Sequence, residues 1–463
     1  LWYFNAWVSL SAFTYGIAAN EQSSQHLEEK MQTDELRSKA NKHLVRNKLL
    51  ADVVKGQDGP IFARAQDTVI WDTDGKSYLD FNSGQMCSAL GHNHPKIAEK
   101  VSKALRELTH ASSVYANVPQ IELAQMLSDI LPEKLTRSLF ITSGADSNEA
   151  AVLFARRATG KTGIACLNFA FHGYTDVTRA MSYCAASFGY GPSIPEIFPI
   201  PTPYAYRNEA AETDPEWWRP ALEMGFEMLD VQCPENLAAV IIEPLVSAGG
   251  VIELPSAYVA ALKEEAHKRG ALLIFDEAQT GLGKLGTLFG FEQHDVIPDI
   301  LTLSKHFGGG LSISAMITTD EIEERAVEGG MSFAHSHSGD PISCTAGLAS
   351  LEVVIDENCA AKAKTISDYW QQHLSRLQQR YEIIGDIRGK GCLQGIELVT
   401  DRKTKTPAKQ EAAKIFRESL SNGLLFSVRG KHSNVLRFVP PFCTTEPELD
   451  KAIEILENSI RSV

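Results

Sequence analysis

The sequence predicts an α/β fold, a large domain built on a mostly parallel sheet with a smaller α+β domain beside it. Three observations carry this. Short apolar runs alternate with amphipathic helical stretches from about residue 95 to about residue 340. The runs are continuously apolar, as strands covered by helices on both faces are. With 463 residues the chain is too long for one ordinary domain and suits two domains sharing a large core.

The strand candidates are SLFIT (138–142), GIACLNF (163–169), LAAVIIEP (237–244), ALLIFDE (271–277) and ILTLSK (300–305). Ligands in such sheets sit beyond the carboxyl ends of strands. The large domain is placed at 82–360. Before it, the segment 56–81 reads as a hairpin, TVIWDT and KSYLDF about Asp74-Gly75, and Asn82 to Pro95 as a loop entering a helix. After it, 361–463 holds a long charged helix, the strand region IRGKGCLQGIELV and a closing helix. The two flanking parts are expected to form the smaller domain together.

Residues 1–55 form an N-terminal segment, polar and helix-spaced from Glu21 onward. Leu1 to Ala19 is apolar and resembles the h-region of a secretory signal without a basic n-region. Asn5, Ser9, Ser11 and Thr14 make it a poor membrane span. A truncated start and a targeting or packing segment both accommodate it.

Lys plus Arg number 44 against 58 acidic residues, a formal charge of −14. That balance disfavours partnership with nucleic acid or an anionic membrane, whose phosphates it would repel. The eight cysteines are scattered without a C-x-x-C pair, so reduced thiols in a cytoplasmic enzyme are expected.

Four places carry chemistry. In ILTLSKHFGGG, Lys305 follows a buried strand and precedes a glycine run at 308–310. Lysine is rarely buried without a task, and desolvation favours its neutral, nucleophilic amine. The glycines permit close approach of backbone to a ligand. An exposed strand-end lysine is the plain alternative. In LLIFDEAQTGLG, Asp276 ends an apolar strand, where a buried carboxylate needs a cationic partner such as a pyridinium nitrogen. A metal carboxylate competes, but no G-x-x-x-x-G-K-[ST] loop accompanies it. Ser143, Gly144 and Ala145 lie between strand and helix, where exposed N–H groups suit a phosphate as well as a plain cap. Phe171 and His172 follow another strand, and the aromatic ring suits stacking on a planar cofactor or simple core packing.

In order and spacing the motifs GHNHP (91–95), SGADSNEAA (143–151), FHG (171–173), IIEP (241–244), DEAQTGLG (276–283), LSKHFGGG (303–310) and IRGKG (387–391) resemble the class III aminotransferases of pyridoxal-phosphate (PLP) fold type I. The resemblance runs from about residue 56 to the C-terminus. It implies a seven-stranded sheet in the large domain. It further implies Lys305 as Schiff-base lysine and proton shuttle, Asp276 on the pyridine nitrogen, Gln279 near the phenolic oxygen and Phe171 on the ring. Gly144 and Ala145 would bind phosphate, Asn148 and His172 would join the cofactor contacts, and Ser336 would reach the phosphate of a neighbouring subunit. The resemblance implies a homodimer or a dimer of dimers, with amino acids and keto acids as substrates.

Within that class the resemblance is nearest to the 2,2-dialkylglycine decarboxylases, on DFNSGQMCSALGHNHP (80–95), SNEAAVLFARRATGK (147–161), IELPSAYVAALK (252–263), FAHSHSGDP (333–341) and VLRFVPPF (435–442). It implies a decarboxylating transaminase that releases CO2 and a ketone and passes the amine to a keto acid such as pyruvate. Gln85 would hold the departing carboxylate perpendicular to the ring, as a catalytic and substrate-binding residue, and Arg437 would grip an in-plane carboxylate. An alkali-cation site for K+ or Na+ is implied at Ala111, Ser113, Ser336, Ser338 and Asp340. The chain departs from that subgroup in having Phe171 for Trp and in Tyr174 and Ala248, which puts the substrate in doubt. A conventional class III aminotransferase is the alternative, and a catalytically dead homologue with a binding role is disfavoured by Lys305, Asp276 and the phosphate turn together.

Overall fold

The computed structural model describes residues 33–45, 59–183 and 193–463. The apolar stretch at 1–20 and most of the N-terminal segment lie outside the described residues; 33–43 of it is helical, as its spacing predicts.

A seven-stranded sheet forms the centre, from β1 (Arg137–Ile141), β2 (Gly163–Leu167), β3 (Ile197–Ile200), β4 (Leu237–Ile242), β5 (Leu272–Asp276), β6 (Ile300–Leu303) and β7 (Ser314–Thr318). Its strand order is β1-β7-β6-β5-β4-β2-β3. Neighbours from β6 across to β3 are parallel, while β7 runs antiparallel to both β6 and β1.

Every residue of β2, β4, β5, β6 and β7 is buried, which explains why β2 and β4 are apolar throughout and why β5 and β6 each carry a single polar residue, Asp276 and Thr302. Alternate residues serve opposite faces. Cys166, Ile241, Ile274, Ile300 and Met316 pack with Ala151 and Ala155 of the helix Gly144–Thr159. Leu167, Val240, Phe275, Leu301 and Ile317 pack on the other face with Val259 and Leu262 of Ser256–Lys268 and Leu351 of Pro341–Asp356. Each such side chain contributes about 1.5–3 kcal/mol when buried.

Two strands lay outside the sequence reading. β3 contains Pro199 and sits at the sheet edge, the place where a strand tolerates a missing N–H. β7 is short and is followed at once by the helix Asp320–Glu328. The five strands end one or two residues earlier than their apolar runs, because the chain leaves the sheet to build the site.

The chain ends meet in a second, four-stranded sheet. Phe62–Gln66, Val69–Asp72 and Ser77–Asp80 form a meander, and Leu424–Leu425 adds in parallel beside Leu79 and Asp80. The turn of the expected hairpin is held by Asp72 Oδ1, which accepts from Asp74 N at 3.0 Å and Lys76 N at 2.9 Å. Gly75 supplies its left-handed residue at φ 78°. A third sheet joins Ile384–Lys390, Leu393–Asp401, Val435–Phe438 and Ser427–Arg429, with the helix Cys359–Arg380 packed against it.

Candidate active site

β5 and β6 lie side by side with Asp276 opposite Thr302, so Lys305, three residues further on, emerges beside the end of β5. Lys305 takes a left-handed backbone at φ 54°, turning the chain into the short turn Lys305–Gly308. For a non-glycine residue this costs about 1–2 kcal/mol. Burial lowers the pKa of its ammonium, and the facing Asp276 opposes that only in part. The lysine is thus a buried amine poised toward its neutral form, as its sequence context predicts.

Asp276 is 4% exposed and held by three donors. Its Oδ2 accepts from Asn148 Nδ2 at 2.7 Å and lies 2.9 Å from His172 Nδ1, and its Oδ1 accepts from Ala278 N at 3.0 Å. Burial alone would raise its pKa, but the His172 hydrogen bond and the charges of His172 and Lys305 outweigh that and lower it. A fixed anion therefore stands at the end of β5.

The sequence placed Asn148 among the cofactor contacts. In the structure both of its amide hydrogens are engaged within the protein, and it braces Asp276. Nδ2 donates to the His172 carbonyl at 2.9 Å as well as to Asp276, and Oδ1 accepts from Thr302 Oγ1 at 2.8 Å. His172 likewise orients Asp276, while its Nε2 is buried with no hydrogen-bond partner among the described residues.

Gly144 and Ala145 open the helix Gly144–Thr159, and their N–H groups precede its first helical hydrogen bond. Ser143 caps it, its Oγ accepting from Asp146 N at 3.3 Å. A Cβ on Gly144 would stand 3.2 Å from Ser304 Cβ, beside Lys305, and one on Gly173 would stand 2.7 Å from Ala145 Cβ. Glycine at both positions lets the helix tip, the Phe171–Gly173 loop and the lysine turn close on one cup. The glycines after Lys305 serve differently from expectation. Gly308 and Gly309 admit Ile313, Ile97 and Ser350, so protein rather than ligand occupies their space.

Phe171 is half-buried, edge-on to Tyr174 with ring centroids 5.1 Å apart. Its N–H donates to Glu243 Oε1 at 3.1 Å, and Glu243 Oε2 accepts from Ser247 N at 3.1 Å. Burial pushes the Glu243 carboxyl up to about 7. Opposite, Arg437 is 1% exposed on Val435–Phe438, donating to Ser247 Oγ at 3.0 Å, Gln279 Oε1 at 3.1 Å and Ser427 Oγ at 3.2 Å. Gln279 follows Asp276 by one turn and is also buried. Arg437, Gln279 and Asp276 thus share one wall.

Gln85 stands apart. It is exposed, at φ 67°, with Asn82 Nδ2 at 3.5 Å from its Oε1. Its neighbours Met86 and Cys87 turn inward, and the Cys87 thiol lies close enough to Lys305 to be affected by its charge. Ser336 is exposed too. At Asp340, one of the residues expected to hold an alkali cation, both carboxylate oxygens face imidazole nitrogens, of His110 and His337.

Sequence reasoning quoted Glu243 only inside IIEP, although a carboxylate ending an apolar strand is the same signal that singled out Asp276. Thr302, Ser247 and Lys284 were missed outright. Thr302 and Ser247 are ordinary hydroxyl residues whose partners lie far off in sequence. Lys284 sits in the glycine loop after DEAQTG, fully buried, its Nζ without a hydrogen-bond partner among the described residues.

These residues fit pyridoxal phosphate. Asp276 would be the anion facing its ring nitrogen, the helix tip at Gly144 and Ala145 would receive its phosphate, and Lys305 would be the amine for its aldehyde. Fold and site define an enzyme of the PLP-dependent α/β transferase class. The chain belongs to the class III aminotransferases, whose family pattern it matches over residues 54–460. It is 37% identical over 431 residues to an uncharacterised aminotransferase of Schizosaccharomyces pombe, covering 91% of this chain and 94% of that one. A probable 4-aminobutyrate aminotransferase of Bacillus subtilis is 31% identical over 425 residues, covering 90% and 96%. Among solved structures, a PLP-bound amine transaminase from an uncultivated Pseudomonas species aligns with a TM-score of 0.83 at 27% identity, covering 88% of this chain and 95% of that one.

Proposed function

We propose that this enzyme transfers an amino group from a carboxylate-bearing donor to a keto acid by plain transamination, without loss of CO2. The observation that carries the reading is the Arg437 guanidinium, buried against Gln279 on the wall that ends at Asp276. A guanidinium there receives a substrate carboxylate through paired, charge-assisted hydrogen bonds.

PLP, when bound, supplies an electron sink for the electrons released at the substrate carbon. Asp276, kept anionic by Asn148 and His172, stabilises the protonated ring nitrogen. Lys305 Nζ, whose ammonium burial makes easier to deprotonate, would take the proton from the carbon bearing the amine. Phe171 and Tyr174 wall the site and limit access of water. Glu243 fixes the loop carrying Phe171 by holding its N–H.

Plain transamination takes the place of the decarboxylating expectation. The relatives named above are aminotransferases by name, which supports the conventional reading. The reading includes pairing with a second copy, supported by the exposed apolar side chains Leu105, Leu108, Val114, Tyr115, Val118 and Ile121.

The test is a set of half-reactions on the PLP-reconstituted protein with L-alanine, 4-aminobutyrate and 2-aminoisobutyrate, following amination of the cofactor and CO2. Amination by either of the first two donors without CO2 from the third is expected. CO2 and acetone from 2-aminoisobutyrate would restore the decarboxylating reading. Sedimentation equilibrium at micromolar concentration checks the pairing.

A further inference from the structure

Asp340 precedes the helix Pro341–Asp356 at its N-cap position, yet its side chain makes no cap bond. Instead its Oδ1 lies 2.6 Å from His110 Nδ1, and its Oδ2 contacts His337 Nδ1. His110 comes from the segment after the helix Pro95–Ala104, 230 residues away in sequence. The two imidazole rings sit 5.3 Å apart, and one donor atom from each of the three residues lies within 4.8 Å of the others. In the single chain the carboxylate is 12% exposed and the rings are 48% and 65% exposed, so an anchored anion carries two adjustable nitrogens; His110 falls in the stretch proposed above to meet a second copy.

We propose that His110, His337 and Asp340 form a binding site for one divalent transition-metal ion of the zinc class. Two imidazole nitrogens and one carboxylate oxygen are a donor set such ions accept, with a fourth position left to water. Bonds of about 2.0–2.1 Å to a tetrahedral ion place ligand atoms about 3.3 Å apart. Each ring then moves outward from Asp340 by less than about 1 Å, which exposed side chains allow. The ion takes the place of the protons now shared between the carboxylate and the rings. It joins the segment after Pro95–Ala104 to the segment before Pro341–Asp356, clamping the stretch that carries Ser336. The set is selective against K+ and Na+, which favour all-oxygen shells.

Titration calorimetry of zinc chloride into the PLP-loaded full chain, in a non-chelating buffer, tests this. One ion per chain is expected, with affinity at least about tenfold weaker in the double variant His110→Gln, His337→Gln. Cobalt(II) is a second probe, giving the intense visible bands of a four-coordinate ion in the wild type and not in that variant. An unchanged cofactor spectrum in the variant shows that it folds. Asp340→Asn, which keeps the side-chain shape, should weaken zinc as well. Equal zinc binding by wild type and double variant, no binding by the wild type, or displacement of zinc by potassium chloride would each overturn the proposal.

Discussion

Asn148 and Asp276 are joined by a 2.7 Å hydrogen bond between a helix and the end of the adjacent strand β5. The same amide donates to the His172 carbonyl and accepts from Thr302, so one side chain ties helix, loop and two strands to the site's anion. Asn148→Ala leaves three buried polar groups short of a partner, each costing about 1–3 kcal/mol. A lower melting temperature and faster loss of cofactor on dialysis are expected. A variant of unchanged stability and cofactor retention would contradict the role.

Lys305→Ala should remove the absorbance of lysine-bound cofactor and slow the half-reaction by about 10²–10⁴-fold, the usual contribution of a proton-transferring group. Added primary amines should restore part of the rate, since the fold of the site does not depend on this side chain. Stopped-flow absorbance with and without ethylamine checks both points.

Arg437→Gln separates carboxylate recognition from chemistry. Hydrogen bonds to a charged group are each worth about 1.5–3 kcal/mol, so kcat/KM for carboxylate-bearing donors should fall about 10- to 150-fold. A simple amine donor should be far less affected. Equal losses with both donors would make Arg437 structural.

Lys284 gives a pH-dependent stability. Burial lowers its ammonium pKa from 10.5 to about 8. Below about pH 8 both states carry the proton, and the fold bears the full cost of burying it. Between about 8 and 10.5 the unfolded chain binds more protons than the folded one, so stability from this group rises with pH. Lys284→Met removes the cost, on the order of 3 kcal/mol at full effect. Urea denaturation should show the variant's advantage largest at pH 7 and nearly gone by pH 10.5. An advantage independent of pH would point to packing alone.

Much of the sheet was legible because a strand buried on both faces is mostly apolar: β2 and β4 are so throughout, and β5 and β6 but for Asp276 and Thr302. β3 and β7 were not legible. A proline-bearing edge strand and a strand with Ser314 and Thr318 at its ends lack the continuous apolar run that marks the others. Lys305 and Asp276 were legible for a related reason: a charged residue at the end of an apolar run is costly to bury, so its presence there signals a task. Glu243 carried that signal as well, but its effect on the Phe171 loop shows only once the strands are aligned.

The sequence by itself determined the class of sheet and set Lys305, Asp276 and the Gly144–Ala145 turn just at or beyond strand ends, since each depends on residue types fixed relative to a strand. Only the tertiary structure decided how the polar side chains divide their bonds. It turned Asn148 and His172 into supports for Asp276, set Arg437 against Gln279, left Gln85 exposed and brought His110 and His337 onto Asp340. Those outcomes depend on contacts between residues up to 230 positions apart, as for His110 and Asp340, and no local pattern encodes such a distance.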